Sequence, residues 1–127
     1  MSTPLSTRRI RIFGIFILLA LVVFVSACAT KPEPTYANSI AEGILQAMND
    51  DDYTKYTEHF DETMKNAVPE PVFRQNNTFL KSKIGDYVSK EFWKVQEKGP
   101  YIIVCYKAKF SQEPDDVIVR VVFREIE

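Results

Sequence analysis

Tyr101-Ile102-Ile103-Val104-Cys105-Tyr106-Lys107-Ala108-Lys109-Phe110 and, after a polar break, Val117-Ile118-Val119-Arg120-Val121-Val122-Phe123-Arg124-Glu125 decide the fold. Successive side chains of an extended chain point to opposite faces. Ile102, Val104, Tyr106, Ala108 and Phe110 therefore share one face of the first segment, and Val117, Val119, Val121 and Phe123 one face of the second. The break, Ser111-Gln112-Glu113-Pro114-Asp115-Asp116, is made of turn formers, so the two segments read as an antiparallel hairpin. Both apolar rows must face one core. This fixes the parity of the register, with pairs such as Tyr106 and Val121, because a slip of one residue would bury one row and expose the other. The outer face mixes Ile103, Cys105, Lys107 and Lys109 with Ile118, Arg120, Val122 and Arg124.

Upstream, Tyr87 to Gln96 reads as a third strand, joined to the hairpin through Glu97-Lys98-Gly99-Pro100. Pairing through that four-residue turn sets Trp93 opposite Val104, Val95 opposite Ile102 and Glu91 opposite Tyr106, all on the core side. Before it the period is helical. Ala37, Ala41, Ile44, Leu45 and Met48 form a stripe at intervals of three and four, with Ser39-x-x-Glu42 as a capping box. Asn49-Asp50-Asp51-Asp52 stops this helix and offers Asp52 as cap of a second, shorter one in which Tyr53, Tyr56 and Phe60 share a side. A third follows Pro69 and Pro71, carrying Val72, Phe73, Phe79, Leu80 and Ile84, and Gly85 closes it. Three helices thus precede the strands.

The amino terminus speaks of location. Arg8, Arg9 and Arg11 precede the apolar run Ile12 to Val25, and Ser26-Ala27-Cys28 follows. Small residues before a cysteine resemble a bacterial-type lipobox, which implies a signal peptide at 1–27, lipid on Cys28, a polar spacer at 28–35 and one domain at 36–127. The competing reading is a transmembrane anchor, since Ile12 to Thr30 approaches the roughly 20 residues that cross a bilayer. Either way the domain lies on the extracytoplasmic face of the cell membrane.

Three of the 16 basic residues lie before the cut, which leaves 13 against 17 acidic ones and a formal charge of −4 on the mature part. This argues against nucleic acid as a partner. His59 is the single histidine, so no His and Cys cluster for a metal exists; at the end of the second helix it suits the helix C-terminus. Asp50-Asp51-Asp52 lacks the glycine and later glutamate of a calcium loop and reads as a capped turn. Cys105 reads as a structural thiol, Asn76-Asn77-Thr78 is a sequon set in a helix, and no cofactor motif is present.

The order of helix, Asp51-Asp52-Tyr53 turn, second helix running into Phe60-Asp61-Glu62-Thr63-Met64-Lys65, third helix, Gly85-Asp86-Tyr87 entry and strands resembles the family called domain of unknown function 3887. That family is similar to the nuclear transport factor 2-like, or cystatin-like, superfamily. The resemblance implies an α+β fold with helices packed on a curved, cone-like antiparallel sheet. Its usual last strand has no counterpart in this sequence, and an unpaired edge invites association. The implied cavity is lined by Tyr53, Tyr56, Glu91, Trp93, Val104 and Tyr106. Two functions stand. The first is a lipid-anchored module, attached to the membrane through Cys28, that binds a small apolar ligand, an envelope protein or a second copy of itself. The second is a small isomerase-, cyclase- or hydrolase-type enzyme using Glu91 with Tyr106, since apolar burial raises a carboxyl pKa.

Overall fold

Three antiparallel strands form an open sheet in the order β1 (Tyr87–Lys98), β2 (Tyr101–Phe110), β3 (Glu113–Arg124). The computed structural model describes residues 31–125. The expected signal peptide, the expected lipid site at Cys28 and the competing transmembrane anchor lie outside the described residues. Among the described residues four helices precede the sheet: α1 (Ala37–Asn49), α2 (Tyr53–Tyr56), α3 (Glu62–Ala67) and α4 (Glu70–Ile84). The fold is the expected α+β class, with one helix more than the period suggested. Asp61 creates the extra one by accepting from the Met64 backbone N–H at 2.7 Å, as Asp52 does for Lys55 at 3.0 Å on α2.

The first helix lies on the sheet through small side chains. Ala37 and Ala41, both fully buried, pack with Val104 and Tyr106 of the central strand, and Leu45 packs with Tyr87, Ala108 and Phe110. Alanine at these contacts lets the helix backbone approach the strand closely, so α1 covers the core face of the sheet. The capping box is not formed: α1 begins at Ala37, Ser39 Oγ donates to the Tyr36 carbonyl, and Glu42 faces the sheet. A helix starting three residues earlier than a Ser39 cap requires leaves Ser39 inside its first turn.

The parity of the hairpin is as expected, and the pairing is shifted by two residues. Tyr106 lies opposite Val119, and Val104 opposite Val121. A tight Ser111-Gln112 turn sets Glu113 opposite Phe110, which alone would shift the pairing by four, and an irregularity between Ala108 and Phe110 takes two residues back. In the first pair the change is larger. Gly99 and Pro100 make the turn, Val95 lies opposite Val104, and the register breaks between Phe92 and Lys94. Trp93 is the extra residue of a β-bulge, which reverses the faces of the residues preceding it. Phe92 therefore meets Tyr106, and Glu91 pairs with Lys107 on the other side. The expected pairs Trp93 with Val104, Val95 with Ile102 and Glu91 with Tyr106 are corrected by that bulge and by the shorter turn.

Gly85 ends α4 at φ +78, a conformation that glycine adopts without a Cβ penalty. The turn after it is tied to the β2–β3 turn by Ser111 N–H to the Asp86 carbonyl at 2.8 Å and Gln112 N–H to the Ile84 carbonyl at 2.9 Å. Residues expected as spacer also dock: Lys31 pairs with Glu97 at 2.7 Å, and Glu33 meets Tyr106. Among the described residues no helix is long and apolar enough to cross a membrane.

Candidate functional site

The expected cavity set divides into three places. Val104 and Tyr106 are fully buried beneath α1. Glu91 and Trp93 lie on the outer face of the sheet, Trp93 with Lys94 Nζ 4.2 Å and Lys107 Nζ 5.4 Å from its ring centre. Tyr53 and Tyr56 sit among the helices, their rings 5.7 and 4.6 Å from that of Phe73.

A phenol and a carboxylate do meet in the core, but the carboxylate is not Glu91. Tyr106 donates through its hydroxyl to Glu33 Oε1 at 2.6 Å, and Tyr87 donates to Glu42 Oε2 at 2.8 Å. Burial, and then the neighbouring carboxylate that each serves as donor, raises both phenols above their usual range. Partial burial pushes Glu42 upward, yet hydrogen bonds from Tyr87, Gln46 and Lys90, with the charge of Lys90, hold it below its usual range. Lys90 itself is nearly covered, 3.3 Å from Glu42, hydrogen-bonded to Asn38 and 4.8 Å from the Tyr106 ring centre. Two neutral phenols, each donating to a carboxylate, act as latches between the sheet and the segments crossing it. The bulge at Trp93 places Glu91 on the opposite face from Tyr106, so these two cannot act on one substrate.

Space for a ligand lies instead between the helices. A pocket of about 280 Å³ is lined by Met48 of α1, Tyr56 of α2, Val68, and Phe73, Asn76, Asn77, Phe79 and Leu80 of α4. Its size is near the lower end for small-molecule sites, and its wall is mostly carbon. The geometry follows from sequence spacing: Phe73, Asn76, Asn77 and Leu80 recur at three and four along one helix face. Tyr56 is held by Phe60 and Phe73, with ring centres 5.1 and 4.6 Å away, and its burial raises the phenol pKa.

Asn77 ties this wall to the end of α1. Its Nδ2 donates to the Met48 carbonyl at 2.8 Å and to Asp51 Oδ1, while its buried Oδ1 has no hydrogen-bond partner among the described residues. Lys81 completes the brace by donating to the Asn49 carbonyl at 2.8 Å and to Asp51 at 3.2 Å. The hydrogen bond from Lys81 lowers the Asp51 pKa, against burial, with help from Asn77. Asp51 adopts φ +53, where an aspartate is tolerated better than most side chains. The acidic run is thus a brace for the pocket wall, and among the described residues no acidic, Cys or His cluster could hold a metal ion.

Of the six residues expected to line a cavity, only Tyr56 lines the pocket; Tyr53 supports it, donating to the Val68 carbonyl at 2.8 Å. The signal for the rest was Phe79. It belongs to an apolar helical set, yet it is 62 % exposed, which is more than a core position allows. His59 is an exposed turn residue three positions beyond the end of α2.

A family model described as protein of unknown function (DUF3887) matches residues 41–126, and the chain belongs to that family. No curated protein and no solved structure matches the chain.

Proposed function

We propose that this DUF3887 member is a lipid-anchored extracytoplasmic module that binds a small, largely apolar molecule between its helices. The anchor rests on Val25-Ser26-Ala27-Cys28 behind a basic and then apolar leader. The observation that carries the binding role is the pocket walled by α1, α2 and α4, with its aromatic rings and single braced amide. Apolar walls supply affinity by removing ligand surface from water, at about 25 cal/mol per Å². The order of helices before an antiparallel sheet supports a place near the nuclear transport factor 2-like superfamily, with α1 covering the core face of the sheet and the ligand site moved to the helical layer.

The test uses the full-length chain, purified with its native lipid and held in lipid nanodiscs. Indole at ten times its dissociation constant adds about 1.4 kcal/mol of stability, or roughly 6 °C in Tm or more for a domain of this size. Asn76→Trp places a large ring at the exposed rim of the pocket and removes the rise without disturbing the core. No saturable rise in the unaltered chain, or an equal rise in Asn76→Trp, contradicts the reading.

A further inference from the structure

The outer face of the sheet carries a charge opposite to that of the chain. Alternation from the core row places Lys94, Lys98, Lys107, Lys109, Arg120 and Arg124 on it, against Glu91 and Asp116. Lys109 and Asp116 neutralise each other at 2.7 Å. The remainder is a basic surface on a domain whose formal charge is −4. Between the cations stand exposed apolar groups: Trp93 at 41 %, Ile118 at 45 % and Val122 at 58 % exposure, with Tyr101 at 42 % near the β1–β2 turn. Lys31 joins Glu97 of β1 at 2.7 Å, and Glu97 stands opposite Ile102 in the core row, so this pairing leaves the outer face uncovered.

From these observations we infer that the outer sheet face docks on an anionic lipid surface, a proposal that rests on the anchorage proposed above for Cys28. Indole and phenol rings prefer the headgroup level of a bilayer, and each lysine or arginine near an anionic leaflet contributes about 1 kcal/mol at low salt. Trp93 serves both terms, because its ring lies beneath Lys94 and Lys107 and extends the apolar part of the face. One lipid tether leaves a domain free to tumble; a basic, aromatic face gives it one orientation. The helices and their pocket belong to the other side of the sheet from this face.

Trp93 is the one tryptophan of the chain, which makes it an intrinsic probe. The full-length lipidated protein is placed in vesicles of phosphatidylcholine alone, or of phosphatidylcholine with phosphatidylglycerol, each carrying brominated acyl chains. Trp93 emission is expected to shift to the blue and be quenched roughly twofold more with phosphatidylglycerol, the gain vanishing in about 1 M salt. The double variant Lys107→Glu and Arg120→Glu loses the gain with an unchanged Tm. Equal quenching in both vesicles, or an unaltered gain in the double variant, overturns the proposal. Quenching that depends on protein concentration and not on lipid also overturns it, and assigns the face to a second copy of the chain. Anchorage is read separately: flotation with phosphatidylcholine vesicles, lost in Cys28→Ser, stands or falls whichever way Trp93 behaves.

Discussion

A phenol that donates to a carboxylate while its ring lies in the core is hard to ionise, and Tyr106 is such a group. Its pKa in the folded chain stands above the ordinary value of 10.0, as does that of Tyr87. Below pH 10 both folded and unfolded chains keep these protons. Above it the unfolded chain releases them first, so stability is lost as pH rises beyond about 10. Tyr106→Phe should cost about 1 kcal/mol at neutral pH and flatten this alkaline limb, read as the urea midpoint against pH. An unchanged limb would mean that neither burial nor the Glu33 bond holds the phenol protonated. Sequence alternation made the inward direction of Tyr106 legible. Its partner was not, because Glu33 lies 73 residues away in a stretch that looked like a spacer. Cys105 shows the same limit: it stands on the outer face of the central strand, and at 1 % exposure it is covered within one chain, so slow thiol reaction does not report association.

At the scale of elements, legibility depended on whether a segment has one apolar side. β2 and β3 each do, and their common face was readable; only the start of β3 was missed, because Pro114 and two aspartates look like turn. β1 does not. Phe92 and Val95 pack on the core, whereas the bulge at Trp93 sends Trp93 and Glu91 outward and a second register shift leaves Val88 exposed. The α4 stripe was readable as a helix, whereas the exposure of Phe79 depends on what α1 and α2 leave uncovered. Gly85 was expected to end that helix and does so, and its packing yields a prediction. A Cβ there would run into Ser111 Oγ and crowd Gln112, in a backbone region that other residues reach at a cost of about 1–3 kcal/mol. Gly85→Ala should therefore destabilise by at least about 2 kcal/mol in chemical denaturation, whereas Gly43→Ala, with nothing within 4 Å, should not destabilise. Equal stabilities would mean that the α4 end is not clamped to the hairpin.

For the whole molecule, the sheet separates two tasks. One side carries α1, whose C-terminal Met48 joins α2 and α4 in walling a pocket, and the other presents the basic, aromatic surface. The expected cone cavity, with Glu91 and Tyr106 inside it, gives way to a packed core of Ala37 and Ala41 against Val104 and Tyr106. The proposed binding site thus lies among the helices, a position that strand parity alone could not disclose. The most direct measurement of that claim is a methyl-labelled NMR titration of the full-length chain in nanodiscs with indole. Saturable shifts at Met48, Val68 and Leu80, with Val104 and Val122 unmoved, are the predicted result; shifts centred on Val104 or Val122, or none that saturate, would contradict it.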